Sequence, residues 1–220
     1  MDGQLIVIEG LDGCGKSTQL ERLKNKYGDK ARFISFPNYD SASGEIIKQY
    51  LTDGFHEENS MTGCYTAAGF YAIDRYISYK TDWEKDYKDG RLIVAARYTS
   101  SNAIYQMAKL PKEQWDGFLD WLTDHEFVKF AIPKPALTVF LDMPTEISQQ
   151  LLSGRYDGDE QKKDIHEKNV AFLQSCRSAA MYAAEKQGWV ILPCSADGKP
   201  LSVEEVGEKL EKIIEEKIKI

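Results

Sequence analysis

Nine residues near the start of the chain constrain it most: Gly10-Leu11-Asp12-Gly13-Cys14-Gly15-Lys16-Ser17-Thr18. They follow the apolar run Leu5-Ile6-Val7-Ile8 and lead into a segment, Thr18 to Lys26, that reads as a helix. Strand, G-x-x-x-x-G-K-S, helix is the order a phosphate-binding P-loop requires. Glycines let backbone N–H groups turn inward around phosphate oxygens, and the positive end of the following helix faces the same anion. Lys16 is placed to reach the outer phosphates, and the Ser17 hydroxyl is a ligand for Mg²⁺. All nine residues are therefore the expected nucleoside-triphosphate contacts.

At 220 residues, with 42% hydrophobic and 29% charged side chains, the chain suits one sizeable core. No linker, repeat or low-complexity tract divides it, so residues 1–220 read as a single domain. No segment approaches the ~20 apolar residues needed to cross a bilayer. The N-terminus, Met-Asp-Gly-Gln, lacks the basic region of a signal peptide, which makes a cytoplasmic location the expectation. Cys14, Cys64, Cys176 and Cys194 are far apart and form no C-x-x-C, as in a reduced compartment without structural zinc. A net charge of −7 argues against general nucleic-acid or anionic-membrane binding. It leaves nucleotides open, because a few placed cations and amides suffice for them.

Five short apolar runs read as strands: Leu5–Ile8, Phe33–Phe36, Leu92–Ala95, Leu137–Leu141 and Val190–Leu192. Several are almost continuously apolar, the mark of strands buried on both faces. Helical patterns separate them over Ser43–Leu51, Thr62–Lys80, Ser101–Lys109, Lys112–Phe130, Ile147–Leu152 and Ile165–Lys186, and Val203–Ile220 closes the chain. Trp115, Phe118, Leu119 and Leu122 recur at helical spacing as core residues. The alternation predicts an α/β fold, a five-stranded, mainly parallel sheet with helices on both faces. One polar interruption, about residues 153–164, carries Arg155, Lys162 and Lys163 and reads as a short lid.

A P-loop alone implies only triphosphate binding. A guanine-specific N-K-x-D motif is missing, since Asn25-Lys26 is followed by Tyr-Gly. A nucleotide kinase also needs a second, arginine-containing anion site and a grip on a base. Tyr71-Ala-Ile-Asp74-Arg75 places an aromatic and an arginine four apart, on one helix face. Such a ring can stack on a pyrimidine while the guanidinium donates to its carbonyl or to a phosphate; the alternative is a core tyrosine with a surface Asp–Arg pair. Downstream, Arg97-Tyr98-Thr99-Ser100-Ser101-Asn102-Ala103-Ile104-Tyr105 offers an arginine for phosphate and an amide with both donor and acceptor. Helix N-capping is the other reading of Ser101 and Asn102.

From the P-loop to about residue 192 these motifs resemble the thymidylate kinases, P-loop nucleoside monophosphate kinases. The resemblance implies a P-loop NTPase fold, ATP and Mg²⁺, and phosphorylation of dTMP to dTDP. It implies that Asp12 lies near the sugar 3′-hydroxyl and the attacked phosphate. Phe36-Pro37-Asn38-Tyr39 is similar to the family's F-P-x-Y loop. Its frequent third-position arginine is Asn38 here, so only Tyr39 carries over as a phosphate neighbour. Tyr71 and Arg75 correspond to the base-reading helix, Arg97 to the acceptor-phosphate ligand, Ser101 and Asn102 to the thymine-edge pair, and Tyr105 to the residue that favours deoxyribose. The family places a catalytic arginine in the P-loop or in the lid. Gly13 and Cys14 leave none in the loop, so Arg155 takes the role beside Lys16 and Arg97. Asp164-Ile-His166-Glu167 resembles the acidic motif after the lid, and Glu167 joins the substrate candidates. A homodimer is implied by the family alone.

One departure bears on turnover. The family's D-R-Y reads Ala96-Arg97-Tyr98 here, and alanine offers no oxygen to a hard cation or its waters. Three readings of Ala96 stay open. It is a substitution introduced to trap ligands, a natural weakened kinase in which Asp12 or Glu167 helps hold the metal, or the mark of a nucleotide-binding module without turnover. A kinase for another nucleoside monophosphate is the remaining alternative. Ala136, in Pro133-Lys-Pro-Ala, also stands where the family commonly has Asp.

Overall fold

The computed structural model describes residues 2–52, 61–155 and 169–218. Five strands form one parallel sheet: β1 (Leu5–Gly10), β2 (Ala31–Ser35), β3 (Leu92–Ala96), β4 (Leu137–Asp142) and β5 (Val190–Pro193), in the order β2-β3-β1-β4-β5. β1 is the centre. Ile6 and Ile8 face one helical layer, and Leu5 and Val7 face the other, all fully buried. That burial on both faces explains the unbroken apolar run.

Helices fill the connections: α1 (Lys16–Tyr27), α2 (Ala42–Thr52), α3 (Met61–Ser78), α4 (Glu84–Lys88), α5 (Thr99–Tyr105), α6 (Trp115–Thr123), α7 (Thr145–Arg155), α8 (Val170–Gln187) and α9 (Val203–Lys217). A two-residue pair, β6 (Ser195–Ala196) and β7 (Lys199–Pro200), follows β5. Among the described residues no helix is long and apolar enough to cross a membrane. All four cysteines are buried free thiols, Cys14 within the core beneath α1.

Several boundaries move for identifiable reasons. The second strand starts at Ala31, two residues before the apolar run, because its Arg32 is satisfied at the sheet edge by Asp82 and Asp86, each at 2.6 Å. The stretch expected as one helix over 112–130 is a 3₁₀ turn, α6, and then a π-helical segment, Asp124–Lys129. Its expected core positions Trp115, Phe118, Leu119 and Leu122 are all buried. A second π-helical segment, Tyr79–Trp83, joins α3 to α4. The terminal helix is amphipathic. Val206, Leu210 and Ile214 enter the core, and Glu211 pairs with Arg22 and Lys26. Residues 156–164 of the expected lid, with Lys162 and Lys163, lie outside the described residues.

The chain fills one side of β1 with β2 and β3 and then the other with β4 and β5. The reversal falls at the C-terminal end of β1, where ligands bind in sheets of this kind. Phe140 of β4 packs there with Leu11, Ile104 and Cys176, beneath both the Gly10–Ser17 loop and α5. Phe140→Ala is expected to cost roughly 3–5 kcal/mol, read as a lower urea midpoint at unchanged m-value. A change below about 1 kcal/mol would contradict the placement of this ring in the core.

Candidate active site

The loop between β1 and α1 takes its shape from its glycines. Gly13 and Gly15 adopt φ of 78° and 86°, where a side chain is strained. A Cβ on Gly13 would also stand 2.8 Å from the Ser148 carbonyl and 2.9 Å from Leu152 of α7. The loop is thereby packed against the helix that ends at Arg155. That arginine's side chain and Glu167 lie outside what the structure describes, so their expected roles remain proposals.

Inside the loop Lys16 donates to the Gly10 carbonyl at 3.2 Å, folding its ammonium back over the loop. Burial, and then repulsion from Arg97, lower its pKa below the ordinary lysine value, against the pull of Asp12 and Glu9. Ser17 and Thr18 are exposed at the start of α1.

Asp12 and Arg97 meet across β1 and β3. Ile8 and Ala96 are register partners, so the turns leaving the two strands lie side by side. Arg97 takes a left-handed φ of 63°, and its N–H donates to the Ile8 carbonyl at 3.1 Å. Its guanidinium reaches Asp12 at 2.6 Å and lies 5.1 Å from the centre of the Tyr105 ring. The Tyr105 hydroxyl donates to the other Asp12 oxygen at 3.3 Å. Burial works against the Arg97 charge, yet Tyr105, Asp12 and Glu9 hold its pKa well above the usual value. Burial also raises the Tyr105 phenol, with Arg97 opposing.

Glu9, which composition alone does not single out, anchors this arrangement. Its carboxylate is fully buried and accepts from the Tyr98 N–H at 3.2 Å and from the hydroxyls of Ser100 and Ser101 at 2.9 and 2.7 Å. The first turn of α5 is thus held by a carboxylate on β1. This corrects the capping reading of Ser101 and Asn102: α5 has no side-chain cap, and its serines point to Glu9. The signal in the sequence was a lone acid inside an apolar strand.

The motif at 71–75 also differs from a surface ion pair. Asp74 is buried and accepts from the Asn38 N–H at 2.9 Å and the Ser43 hydroxyl at 2.7 Å, fixing the loop after β2. Arg75 is buried as well and pairs with Glu126 through two contacts of 2.6 Å. Asn102 donates to the Ala68 carbonyl and to Glu126. Tyr71 is half-buried, and its phenol is raised by burial and by the neighbouring Tyr39 and Tyr50, with Arg97 and Arg75 opposing. Those influences bring Tyr39, Tyr71, Arg75 and Arg97 into one neighbourhood. The sequence motifs did not single out Glu126; the signal for it is its place four residues beyond Leu122 on the apolar stripe.

Ala96 is buried between Ile8 and Ser35 in the sheet and contributes no polar side-chain atom. Among the described residues no three His, Cys, Asp or Glu cluster to hold a metal. A Mg²⁺ held mainly by substrate phosphates and waters needs only one or two protein oxygens. The exposed Ser17 hydroxyl and the Asp12 carboxylate, both on the Gly10–Ser17 loop, suit that demand.

The family model for thymidylate kinase matches residues 8–216. The chain belongs to the thymidylate kinase family. Thymidylate kinase of Mycobacterium tuberculosis is 29% identical over 190 residues, covering 84% of this chain and 87% of that protein. A probable thymidylate kinase of Pyrobaculum aerophilum is 25% identical, covering 95% and 97%. Among solved structures, thymidylate kinase of Candida albicans superposes with a TM-score of 0.72 at 25% identity, covering 98% of this chain and 92% of that one. The α/β P-loop NTPase fold expected from the motifs is the fold of this family.

Two outcomes follow from the geometry. At position 97 the left-handed backbone favours glycine, so Arg97→Gly should be more stable than Arg97→Ala by about 1 kcal/mol in chemical denaturation. Equal stability would contradict the conformation. At Lys16 the lowered pKa means that the neutral amine appears as pH rises through it, while a bound triphosphate favours the charged form. ATP binding at alkaline pH should therefore take up a proton and weaken as pH rises. Calorimetry in buffers of different ionisation enthalpy reads the uptake, and Lys16→Met should abolish it.

Proposed function

We propose that this chain transfers the γ-phosphoryl group of ATP to dTMP, giving dTDP and ADP. The meeting of Asp12 with Arg97 carries the reading. It joins the triphosphate loop to an arginine-bearing second anion site, as transfer between two phosphorylated ligands requires. Gly10, Leu11, Asp12, Gly13, Cys14, Gly15, Lys16, Ser17 and Thr18 form the ATP side, with Lys16 on the outer phosphates. Ser17, aided by Asp12, would hold a Mg²⁺ ion, which would supply charge neutralisation to the triphosphate.

On the acceptor side Arg97 binds the monophosphate, and Tyr39 lies beside it. Tyr71 stacks on the base, Arg75 and Asn102 read its edge, Ser101 secures the helix that carries Asn102, and Tyr105 crowds the sugar. Arg155 closes over both ligands and meets the charge that develops on the transferred group, and Glu167 flanks the substrate. The chain's contribution is alignment and charge compensation, since this transfer needs little proton chemistry from the protein. The exposed Ile73, Tyr76 and Ile77 on α3, each 39% accessible, support pairing of two copies as a homodimer.

The test is ADP release with dTMP, dUMP, UMP, CMP and AMP as acceptors, for the wild type and Ala96→Asp. Turnover of dTMP above CMP and AMP is expected with alanine in place. Preference for AMP or CMP would overturn the substrate assignment. Tight binding of dTMP and ATP without turnover in either protein would favour a binding module.

A further inference from the structure

Behind the proposed base site, side chains from three segments form one buried network. Glu126, on the π-helical segment 124–129, is fully buried, and its Oε2 and Oε1 accept from Arg75 Nε and Nη2, both at 2.6 Å. Arg75 Nη1 donates to the Tyr98 carbonyl at 3.3 Å, so three of its five N–H groups are engaged by protein. Asn102 Nδ2 donates to the Ala68 carbonyl at 3.1 Å and to Glu126 Oε1 at 3.3 Å.

Both partners of that amide nitrogen accept only. A backbone carbonyl has no proton to give, and neither has a carboxylate paired with arginine. The Asn102 amide is therefore held in one orientation. Its two N–H groups point inward, and Oδ1 is left as an acceptor that meets no protein donor among the described residues. Arg75 keeps N–H groups on its two terminal nitrogens. One donor and one acceptor are thus fixed by the same carboxylate.

We propose that Glu126 determines base specificity by positioning this pair. The inference rests on the reading of the site as the acceptor-nucleotide pocket. A 4-oxo pyrimidine with N3–H, thymine or uracil, offers an acceptor beside a donor and complements Arg75 N–H and Asn102 Oδ1. Cytosine offers the reverse, a 4-amino donor beside an N3 acceptor, and meets donor with donor and acceptor with acceptor. A site that leaves buried polar groups unpaired rejects a ligand far more strongly than one that merely misses a methyl group. Without the carboxylate, Asn102 is able to turn its amide and present Nδ2 to the cytosine N3, which removes one of the two mismatches.

Glu126→Gln tests this. Glutamine fills the same space but places an amide N–H₂ where a carboxylate oxygen stood, and in either orientation that N–H₂ faces an Arg75 donor. The readout is the ratio of kcat/KM for dTMP over dCMP, with the KM for dTMP measured beside kcat. In the wild type the ratio should be large, and 3-methyl-dTMP, which lacks the N3 proton, should be a poor substrate. In Glu126→Gln the dTMP/dCMP ratio should fall at least tenfold, mainly through KM, and the penalty on 3-methyl-dTMP should shrink. If that variant does not fold, Glu126→Asp, which keeps the charge and withdraws it by one methylene, should show the same fall. Parallel loss of both activities at a constant ratio would overturn the role of Glu126 and leave the kinase reading intact. A wild type that does not prefer dTMP to dCMP would overturn the pocket assignment and this inference with it.

Discussion

The ion pair between Asp12 and Arg97 is the joint on which the site depends. It exists because β1 and β3 are adjacent and parallel, with Ile8 opposite Ala96, so the turns leaving them are neighbours. It closes at 2.6 Å only because Arg97 accepts a left-handed backbone. Such conformations cost free energy and persist where surrounding contacts enforce them; here the Arg97 N–H on Ile8 and the Tyr98 N–H on Glu9 do so. Burial first, and then the positive charge of Arg97, lowers the pKa of Lys16, and bound phosphates would offset that repulsion.

Behind each segment that lines the candidate site stands a buried carboxylate. Glu9 holds the start of α5, Asp74 holds the loop after β2, and Glu126 holds Arg75 and Asn102. Buried acids are costly unless every oxygen is met, and these are met by several donors each. Such networks specify one geometry rather than add much stability, because removing any member leaves the others unpaired. In that setting Ala96 brings no side-chain oxygen to the rim of the site, while the acids that shape it are all in place.

Much of this was readable in the sequence. The five strands and the helix carrying Trp115 follow from apolar runs and spacing, and Asp12, Lys16 and Arg97 follow from motif. The misreadings share a cause. Pattern identifies which residue types lie near each other along the chain but not which partner they take across it. Asp74 and Arg75 are adjacent in sequence and serve different elements. Ser101 looks like a cap and is instead a donor to Glu9, 92 positions away. The π-helical segment that presents Glu126 carries no composition signal of its own, and an acid four residues beyond Leu122 on the apolar stripe is its one trace in the sequence.

Asp12 and Arg97 join the loop after β1 and the start of α5 into one coupled unit. A double-mutant cycle on kcat/KM for dTMP, using Asp12→Asn, Arg97→Lys and the double variant, measures that coupling directly. Strong non-additivity is predicted, with a coupling free energy of about 1.5 kcal/mol or more, within the range found for contacting charged residues. Additive losses, with a coupling below about 0.3 kcal/mol, would contradict it.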